Sequence, residues 1–418
     1  MPDAAAQLQA ALGERGGTAV DLLAELVEIE SHASLPDGVR AVGSAVAREL
    51  GAAGFDSEWR PCEPVTHDPW IAELLLGDTP PETVAPALVA ERPGRGGRVL
   101  LLGDLDTAQA PGSLARNPFR MQGARAFGPG IADMKGGLVV LCLALRALAR
   151  SGLRAPQLTV VLSPDEQAGS LGSGAIVERE AVGADWCLCM ECARDGGRLM
   201  AARAQVGIAR LDVHGREAYA GADRAKGASA VAALARKLAD VDALTDPGAG
   251  VYVTATRMGG GRRRSVVPGH AWCTIDVRAA DAAGWERARD GLEVIAHRDD
   301  GDGTRGELRA YAHRPAVPWT AATDQLLAAA ASAADALGHD VSALRSPAAG
   351  SSAFAAAAGV PTLDGMGPSG GALMTDGEYV EIDTITARAA VLALLLHRLA
   401  GTDSHTTPHP VMRAFHKG

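Results

Sequence analysis

The segment of residues 128–137, with the sequence GPGIADMKGG, constrains the fold of this chain more than any other stretch. One acid, Asp133, stands between two glycine-rich turns, and an apolar run follows directly. Because glycine lets the backbone turn sharply and approach other groups closely, this arrangement places a carboxylate at the entrance of a helix. The run from 137 to 149 is short and interrupted by Arg146, which predicts a buried helix and not a membrane span.

Acidic residues also follow two other predicted strands. Asp104 and Asp106 come at the end of the apolar segment 98–103, two residues apart, so both lie on one face of an extended chain. Asp165 and Glu166 follow the β-rich segment 157–162, with Gln167 next. Acids gathered at three strand ends indicate the layout of a metal-dependent hydrolase.

Composition limits the class of protein. The chain has 418 residues, 47% of them hydrophobic, enough for a large core and, at this length, for two domains. A net charge of −10 argues against nucleic acid or an anionic membrane as partner. The basic run 262–264 favours a solvated loop over recognition of an anionic substrate. The N-terminus lacks the pattern of a secretory signal and six cysteines are scattered, so we expect a cytoplasmic protein.

Three of the cysteines form a tighter group around Glu191. Cys187 and Cys189 alternate along a predicted strand, and no second cysteine pair exists to complete a metal knuckle. We therefore interpret Cys187 and Cys189 as small core residues and not as metal ligands. Cys192, just past the strand end, is a candidate site residue.

The alternation of strands and helices predicts an α/β domain with a mostly parallel sheet between helices. Its first helix is expected over 4–30. The pattern changes near residue 204 to a β-α-β-β-α-β order, typical of a ferredoxin-like α+β unit. Its predicted elements are strands 207–214, 251–258, 272–278 and 307–312 and helices 226–240 and 282–296. We therefore expect residues 1–204 and 318–418 to form the α/β domain and residues 205–317 to form an inserted domain.

These motifs, together with GEYVEI at 377–382, resemble the zinc exopeptidase (metallopeptidase) family that contains glutamate carboxypeptidase, aminoacylase, acetylornithine deacetylase and succinyl-diaminopimelate desuccinylase. The resemblance covers nearly the whole chain and is closest to the glutamate carboxypeptidase branch. It implies that the inserted domain serves as a lid and dimer interface. We therefore expect a homodimer through the lid and a small-molecule substrate.

The resemblance also implies a pair of zinc ions bridged by an aspartate that matches Asp133. Further ligands of one zinc match Asp104 and Glu191, whereas those of the other match Gln167 and Leu373. Gln167 offers one neutral oxygen and Leu373 offers none, so a zinc pair is not expected. We expect no metal or one divalent metal at Asp104, Asp133 and Glu191, with Gln167 a weak candidate. These oxygen ligands favour Mg, Mn or Ca over zinc.

Catalytic and substrate-binding positions of the family match further residues. The general base matches Glu166, and Asp106 matches the aspartate that orients its neighbours. The lid histidine that polarises the scissile carbonyl matches Tyr219, a phenol that donates a hydrogen bond without positive charge. The arginine that binds the substrate's α-carboxylate matches Arg278, although a surface role is equally open. The other candidate substrate contacts are Ser265, Ser352 and Gly371.

Three functional hypotheses follow. The favoured one is a divergent enzyme on a small amino-acid-like or N-acyl amino acid substrate, working without the zinc pair through acid/base, cyclisation or acyl-transfer chemistry by Glu166 and its neighbours. The second is an amide hydrolase, a deacylase or carboxypeptidase, that uses one metal at Asp104, Asp133 and Glu191. The third is a catalytically dead binding or regulatory homologue.

Overall fold

A computed structural model describes residues 3–13, 16–62, 71, 84–194 and 196–401. The chain divides into two compact units. The larger unit comprises Met1–Ala202, Val317–Arg345 and Gly350–Gly418, and the smaller unit comprises Arg203–Ala316 and Ser346–Ala349.

The elements of both units are numbered together along the chain. The described helices are α1 Ala4–Gly13, α2 Gly16–Val27, α3 Pro36–Ala52, α4 Ser113–Arg116, α5 Gly136–Ser151, α6 Gly174–Ala181, α7 Ala230–Asp242, α8 Ala282–His297, α9 Ala321–Asp335, α10 Ser352–Ala357 and α11 Ile382–Leu399. The described strands are β1 Asp56–Arg60, β2 Ala87–Arg92, β3 Arg98–Asp104, β4 Arg120–Gln122, β5 Arg125–Phe127, β6 Gln157–Ser163, β7 Trp186–Cys189, β8 Leu199–Arg203, β9 Gln205–His214, β10 Val251–Gly260, β11 His270–Ala279, β12 Arg305–Arg314, β13 Ala343–Ser346, β14 Thr362–Leu363, β15 Gly370–Gly371 and β16 Tyr379–Glu381.

The larger unit is built on a six-stranded mixed sheet with the order β1-β2-β6-β3-β7-β14. Strands β6, β3, β7 and β14 are parallel to one another. At one edge, β2 pairs antiparallel with β6, and β1 pairs antiparallel with β2. Helices cover both faces. In β3, Leu101 packs into the cluster formed with α1, α2, α3, α5, α9 and α11, and Leu100 and Leu102 pack with α6 and α10. Burial on both faces explains why these strands are continuous apolar runs.

Helix α5 begins directly after the turn of residues Ile131–Lys135, which we call the Asp133 turn, and packs against α11 and α1. Its start requires glycine, because a Cβ on Gly137 would stand 1.9 Å from the carbonyl oxygen of Met190. The glycine-framed helix entrance predicted from the sequence is therefore present, and it lies against the end of β7. The predicted helix over 4–30 corresponds to α1 and α2, and its end is wrong by three residues because α2 ends at Val27. The part of this prediction that covers residues 14 and 15 lies outside the described residues.

The smaller unit has the element order β9-α7-β10-β11-α8-β12. Its antiparallel sheet has the strand order β10-β11-β9-β12, which is the ferredoxin-like arrangement. Residues of α7 and α8, including Leu234, Trp285 and Leu292, pack with Val213 and Ile275 of the sheet. The expected roles of this unit as a lid and a dimer interface remain predictions.

Among the described residues, no helix combines the length and the apolar character needed to cross a membrane.

Candidate functional site

Acidic side chains from three neighbouring strand ends meet in the larger unit. Asp104 is the last residue of β3, Glu166 follows β6 and Glu191 follows β7, and β3 lies between the other two. Because these strands are parallel, their carboxyl ends share one edge of the sheet. Oxygens of the three carboxylates lie within 4.8 Å of one another, and all three residues are buried. We call these three residues the carboxylate cluster.

Asp104 is the most deeply enclosed member of the carboxylate cluster. Its Oδ1 accepts a hydrogen bond from Ser351 Oγ at 3.3 Å, whereas its buried Oδ2 has no hydrogen-bond partner within the described part of the chain. Burial, together with the charges of Glu166 and Glu191, raises the pKa of Asp104 well above its usual range. A buried oxygen without a donor, surrounded by like charges, is a position suited to a cation.

Asp106 fixes the segment that carries Glu166. Its Oδ1 accepts the N–H of Glu166 and its Oδ2 accepts the N–H of Gln167, both at 2.9 Å. Burial and the nearby Glu166 charge raise the pKa of Asp106, and these two N–H groups act in the opposite direction. Because both oxygens are engaged by backbone, the geometry supports the orienting role expected for Asp106.

The Asp133 turn is held by a residue whose role the sequence did not reveal. Oε1 of buried Glu378 accepts the N–H groups of Ala132 and Asp133 at 2.8 and 3.0 Å. Its Oε2 accepts the N–H of Met374 at 3.2 Å and a hydrogen bond from Gln109 Nε2. The GEYVEI segment that carries the family resemblance contains Glu378, and this was the only sequence signal for it.

A glycine makes the same turn possible. Gly130 has a φ of 68° and a Cβ there would lie 2.2 Å from Thr107 Cγ2. Both the left-handed backbone and the close approach exclude larger residues at this position.

Gln167 and Leu373, which match the ligand positions of the family's second zinc, make other contacts. Gln167 Nε2 donates to Asp133 Oδ1 at 3.0 Å, so the amide presents hydrogens to the carboxylate. Leu373 packs against the apolar core of the larger unit. An amide nitrogen that donates to Asp133 and a leucine side chain are not metal ligands, so the arrangement does not fit a zinc pair. The carboxylate cluster, with the unpartnered oxygen of Asp104, fits one divalent cation bound by oxygen.

Two basic residues lie near these acids. Arg194 Nη2 is 3.9 Å from Glu191 Oε2. Burial and the charges of Glu191 and Glu166 raise the pKa of Asp133, and Arg194 works against this rise. Lys135 is buried and donates from Nζ to the carbonyl of Ile29 at 2.7 Å. Burial lowers the pKa of Lys135 to about 7.

The cysteines near Glu191 have no exposed thiol. Cys187 and Cys189 are fully buried, which agrees with their interpretation as core residues. Cys192 is buried as well, and its Sγ donates to the carbonyl of Pro368 at 3.2 Å. Burial raises the pKa of the Cys192 thiol to about 12, so it stays protonated and unreactive at neutral pH.

Three of the sequence-predicted site residues belong to the smaller unit. Tyr219 and Ser265 lie on adjacent segments, since Tyr219 forms a bridge with Val266 and the Ala220 N–H donates to the Ser265 carbonyl. Both side chains are exposed, Tyr219 by 57%. Arg278 is held by Asp276 through two hydrogen bonds of 2.9 and 3.2 Å. The catalytic and substrate-binding roles of these residues remain predictions.

The other predicted substrate contacts lie in the larger unit. The buried hydroxyl of Ser352 donates to Asp364 Oδ2 at 2.6 Å, while its neighbour Ser351 is the serine that contacts Asp104. Half-buried Gly371 lies in β15, opposite Tyr379 of β16. The structure thus brings together six of the predicted residues: Asp104, Asp106, Asp133, Glu166, Gln167 and Glu191. Ser352 is not among them, because its hydroxyl is hydrogen-bonded to Asp364.

An α/β sheet with acids at the ends of its parallel strands, followed in the chain by a ferredoxin-like unit, defines the metallopeptidase-like class of hydrolases. Within this class the chain belongs to peptidase family M20/M25/M40, whose sequence profile matches residues 100–398. This confirms the family resemblance and the fold class predicted from the sequence. Members of this family bind divalent metals.

Individual relatives agree with this assignment. The chain is 28% identical over 396 residues to carboxypeptidase G2 of Pseudomonas sp. (strain RS-16), which covers 93% of this chain and 90% of that protein. Aminopeptidase PepT from Bacillus cereus superposes with a TM-score of 0.73 at 17% identity, over 92% of this chain and 99% of the other. The YXEP protein of Bacillus subtilis, described as a dinuclear metal binding peptidase from the M20 family, gives a TM-score of 0.65 at 16% identity, over 94% and 99%.

Proposed function

We propose that the protein is an amidohydrolase-type enzyme that acts on a small amino-acid-like or N-acyl amino acid substrate without a zinc pair. The observation that carries this proposal is the difference between two halves of one site. On one side, three buried carboxylates converge around an oxygen of Asp104 that lacks a donor. On the other side, Gln167 donates an amide hydrogen to Asp133, and Leu373, which matches the remaining ligand position of the family, packs against the core.

The favoured form of this proposal uses one divalent cation, held by Asp104, Glu166 and Glu191. Glu166 thus replaces Asp133 in the ligand set expected from the sequence. When bound, such an ion polarises a carbonyl and lowers the pKa of a bound water. Among the protein groups, Asp106 holds the backbone of Glu166 in place through its N–H, and Glu166 accepts or donates the proton that the reaction moves.

A second form of the proposal needs no metal. Glu166 would then serve alone as the acid or base, in a proton transfer, cyclisation or acyl transfer. The position of Arg194, 3.9 Å from Glu191, favours this form because it brings a permanent positive charge to the acids.

Substrate recognition and assembly are proposed on the family resemblance. Arg278, whose guanidinium Asp276 orients, is proposed to bind a substrate carboxylate, with Tyr219 as a hydrogen-bond donor. We further propose a cytoplasmic homodimer formed through the smaller unit, with neither nucleic acid nor membrane as partner. The net charge of −10 supports the last point.

Hydrolysis of N-acyl amino acids and dipeptides before and after chelation tests the proposal. With one catalytic cation, activity is expected to disappear in EDTA and to return with Mn²⁺ or Mg²⁺. Asp104→Asn removes a charged ligand and is expected to weaken Mn²⁺ binding about tenfold or more.

Asp56→Asn, on the exposed edge strand β1, is the matched control and is expected to bind Mn²⁺ normally. Activity that resists EDTA would select the metal-independent form. Absence of turnover, combined with a ligand that raises the melting temperature, would contradict both forms and indicate a binding homologue.

A further inference from the structure

Arg194 lies beside the carboxylate cluster and has no role yet in the single-cation form of the proposed function. We propose that Arg194 is a fixed cation of the site and takes over the charge compensation that a second metal ion would supply. This inference rests on the proposed single-cation site. It adds to that proposal a residue that limits the number of cations the site accepts.

The contacts of Arg194 support this role. Its Nη2 lies 3.9 Å from Oε2 of Glu191, a carboxylate whose side chain is only 5% exposed. Its charge acts on Asp133 as well. Gln167 donates a neutral hydrogen bond to one of these two acids, Asp133. Arg194 and Gln167 together therefore present positive and donor groups to carboxylates that have no second metal ligand set.

Two neighbouring cations are engaged elsewhere and do not share this role. Lys135 donates to the carbonyl of Ile29, and Arg388 donates to the carbonyl of Gly197. The acids buried in this part of the unit include Asp104, Asp106, Asp133, Glu166, Glu191 and Glu378. One divalent ion and one guanidinium bring three positive charges to these carboxylates, so Arg194 reduces the excess negative charge that a single metal leaves.

The backbone holds Arg194 in a tight turn. Its N–H donates to the carbonyl of Arg198 at 3.0 Å, and its own carbonyl accepts the N–H groups of Arg198 and Gly197 at 2.7 and 3.0 Å. These bonds hold the backbone of Arg194, whose guanidinium lies next to Glu191. A fixed positive charge lowers the affinity of the carboxylates for a divalent cation, because the two positive charges repel each other at short distance.

Calorimetric titration of the full-length protein with Mn²⁺ tests the inference. Arg194→Gln is expected to bind Mn²⁺ about tenfold more tightly than the unaltered protein, because one positive charge is removed beside the site. Arg194→Lys, which keeps the charge, is expected to bind like the unaltered protein. Arg48→Gln, which breaks a surface ion pair with Glu25, controls for the loss of one positive charge elsewhere.

Melting temperatures in EDTA provide the second readout. Arg194→Gln is expected to melt lower than the unaltered protein in EDTA and to recover on addition of Mn²⁺. Equal Mn²⁺ affinities for the two proteins, or a lower melting temperature without a gain in affinity, would overturn the inference. The single-cation proposal fails on a different result, namely equal Mn²⁺ binding by Asp104→Asn and the unaltered protein.

Discussion

Replacement of Glu166 by glutamine is expected to lower kcat by about 10²–10⁴-fold, the range found when a general acid or base is removed. Glutamine keeps the shape of the side chain but neither accepts nor donates the proton. The backbone N–H of residue 166 remains available to Asp106, so the segment after β6 should keep its position. In the metal-independent form the loss should therefore be confined to turnover, whereas in the single-cation form Mn²⁺ binding should weaken as well because a charged ligand is lost.

Steady-state kinetics measure this effect, on whichever N-acyl amino acid or dipeptide the protein hydrolyses. Calorimetry checks that the variant is folded. Glu91→Gln, an exposed residue of β2, is the matched control and should retain full activity. If Glu166→Gln turned over substrate as fast as the unaltered protein, neither form of the proposed chemistry would survive.

Replacement of Glu378 by alanine is expected to destabilise the larger unit by about 3 kcal/mol or more, because several buried donors lose their acceptor at once. Glu378 accepts three backbone N–H groups, from Ala132, Asp133 and Met374, as well as the amide of Gln109. The same change releases the turn that carries Asp133. We therefore expect turnover to fall together with stability.

Differential scanning calorimetry gives the measurement, with Glu381→Ala as the control. Glu381 lies in the same segment, but its side chain is 43% exposed and forms only a surface ion pair with Arg125. Such pairs contribute about 0–1 kcal/mol, so this variant should melt close to the unaltered protein. Equal melting temperatures for both variants would show that Glu378 does not hold the Asp133 turn.

Local patterns were sufficient to predict the sheet and the acids at its edge. An apolar strand followed by an acid is visible at Asp104 and Glu166 without knowledge of the fold, whereas Glu191 was added to the site by the family resemblance. Once the strands are parallel and adjacent, the convergence of these residues follows from geometry. The glycines around Asp133 likewise predicted a tight helix entrance, because glycine is required where backbone approaches backbone.

Roles that depend on distant contacts were not predictable in this way. Glu378 reaches Ala132 across 246 positions of sequence, and Ser351 reaches Asp104 across 247. Arg194 looks like an ordinary surface arginine until its distance to Glu191 is known. The place of Glu166 in the carboxylate cluster, where the sequence favoured Asp133, also depends on side-chain direction and not on spacing.

The metal content of the protein tests the central claim most directly. Purified protein should be stripped with EDTA, dialysed to equilibrium against excess zinc or manganese, and analysed for metal per chain by mass spectrometry. The account predicts at most one ion per chain, with Asp104→Asn losing it. Two tightly bound zinc ions per chain would contradict it, because the described residues place one group of acids, Asp104, Glu166 and Glu191, in position to hold a cation.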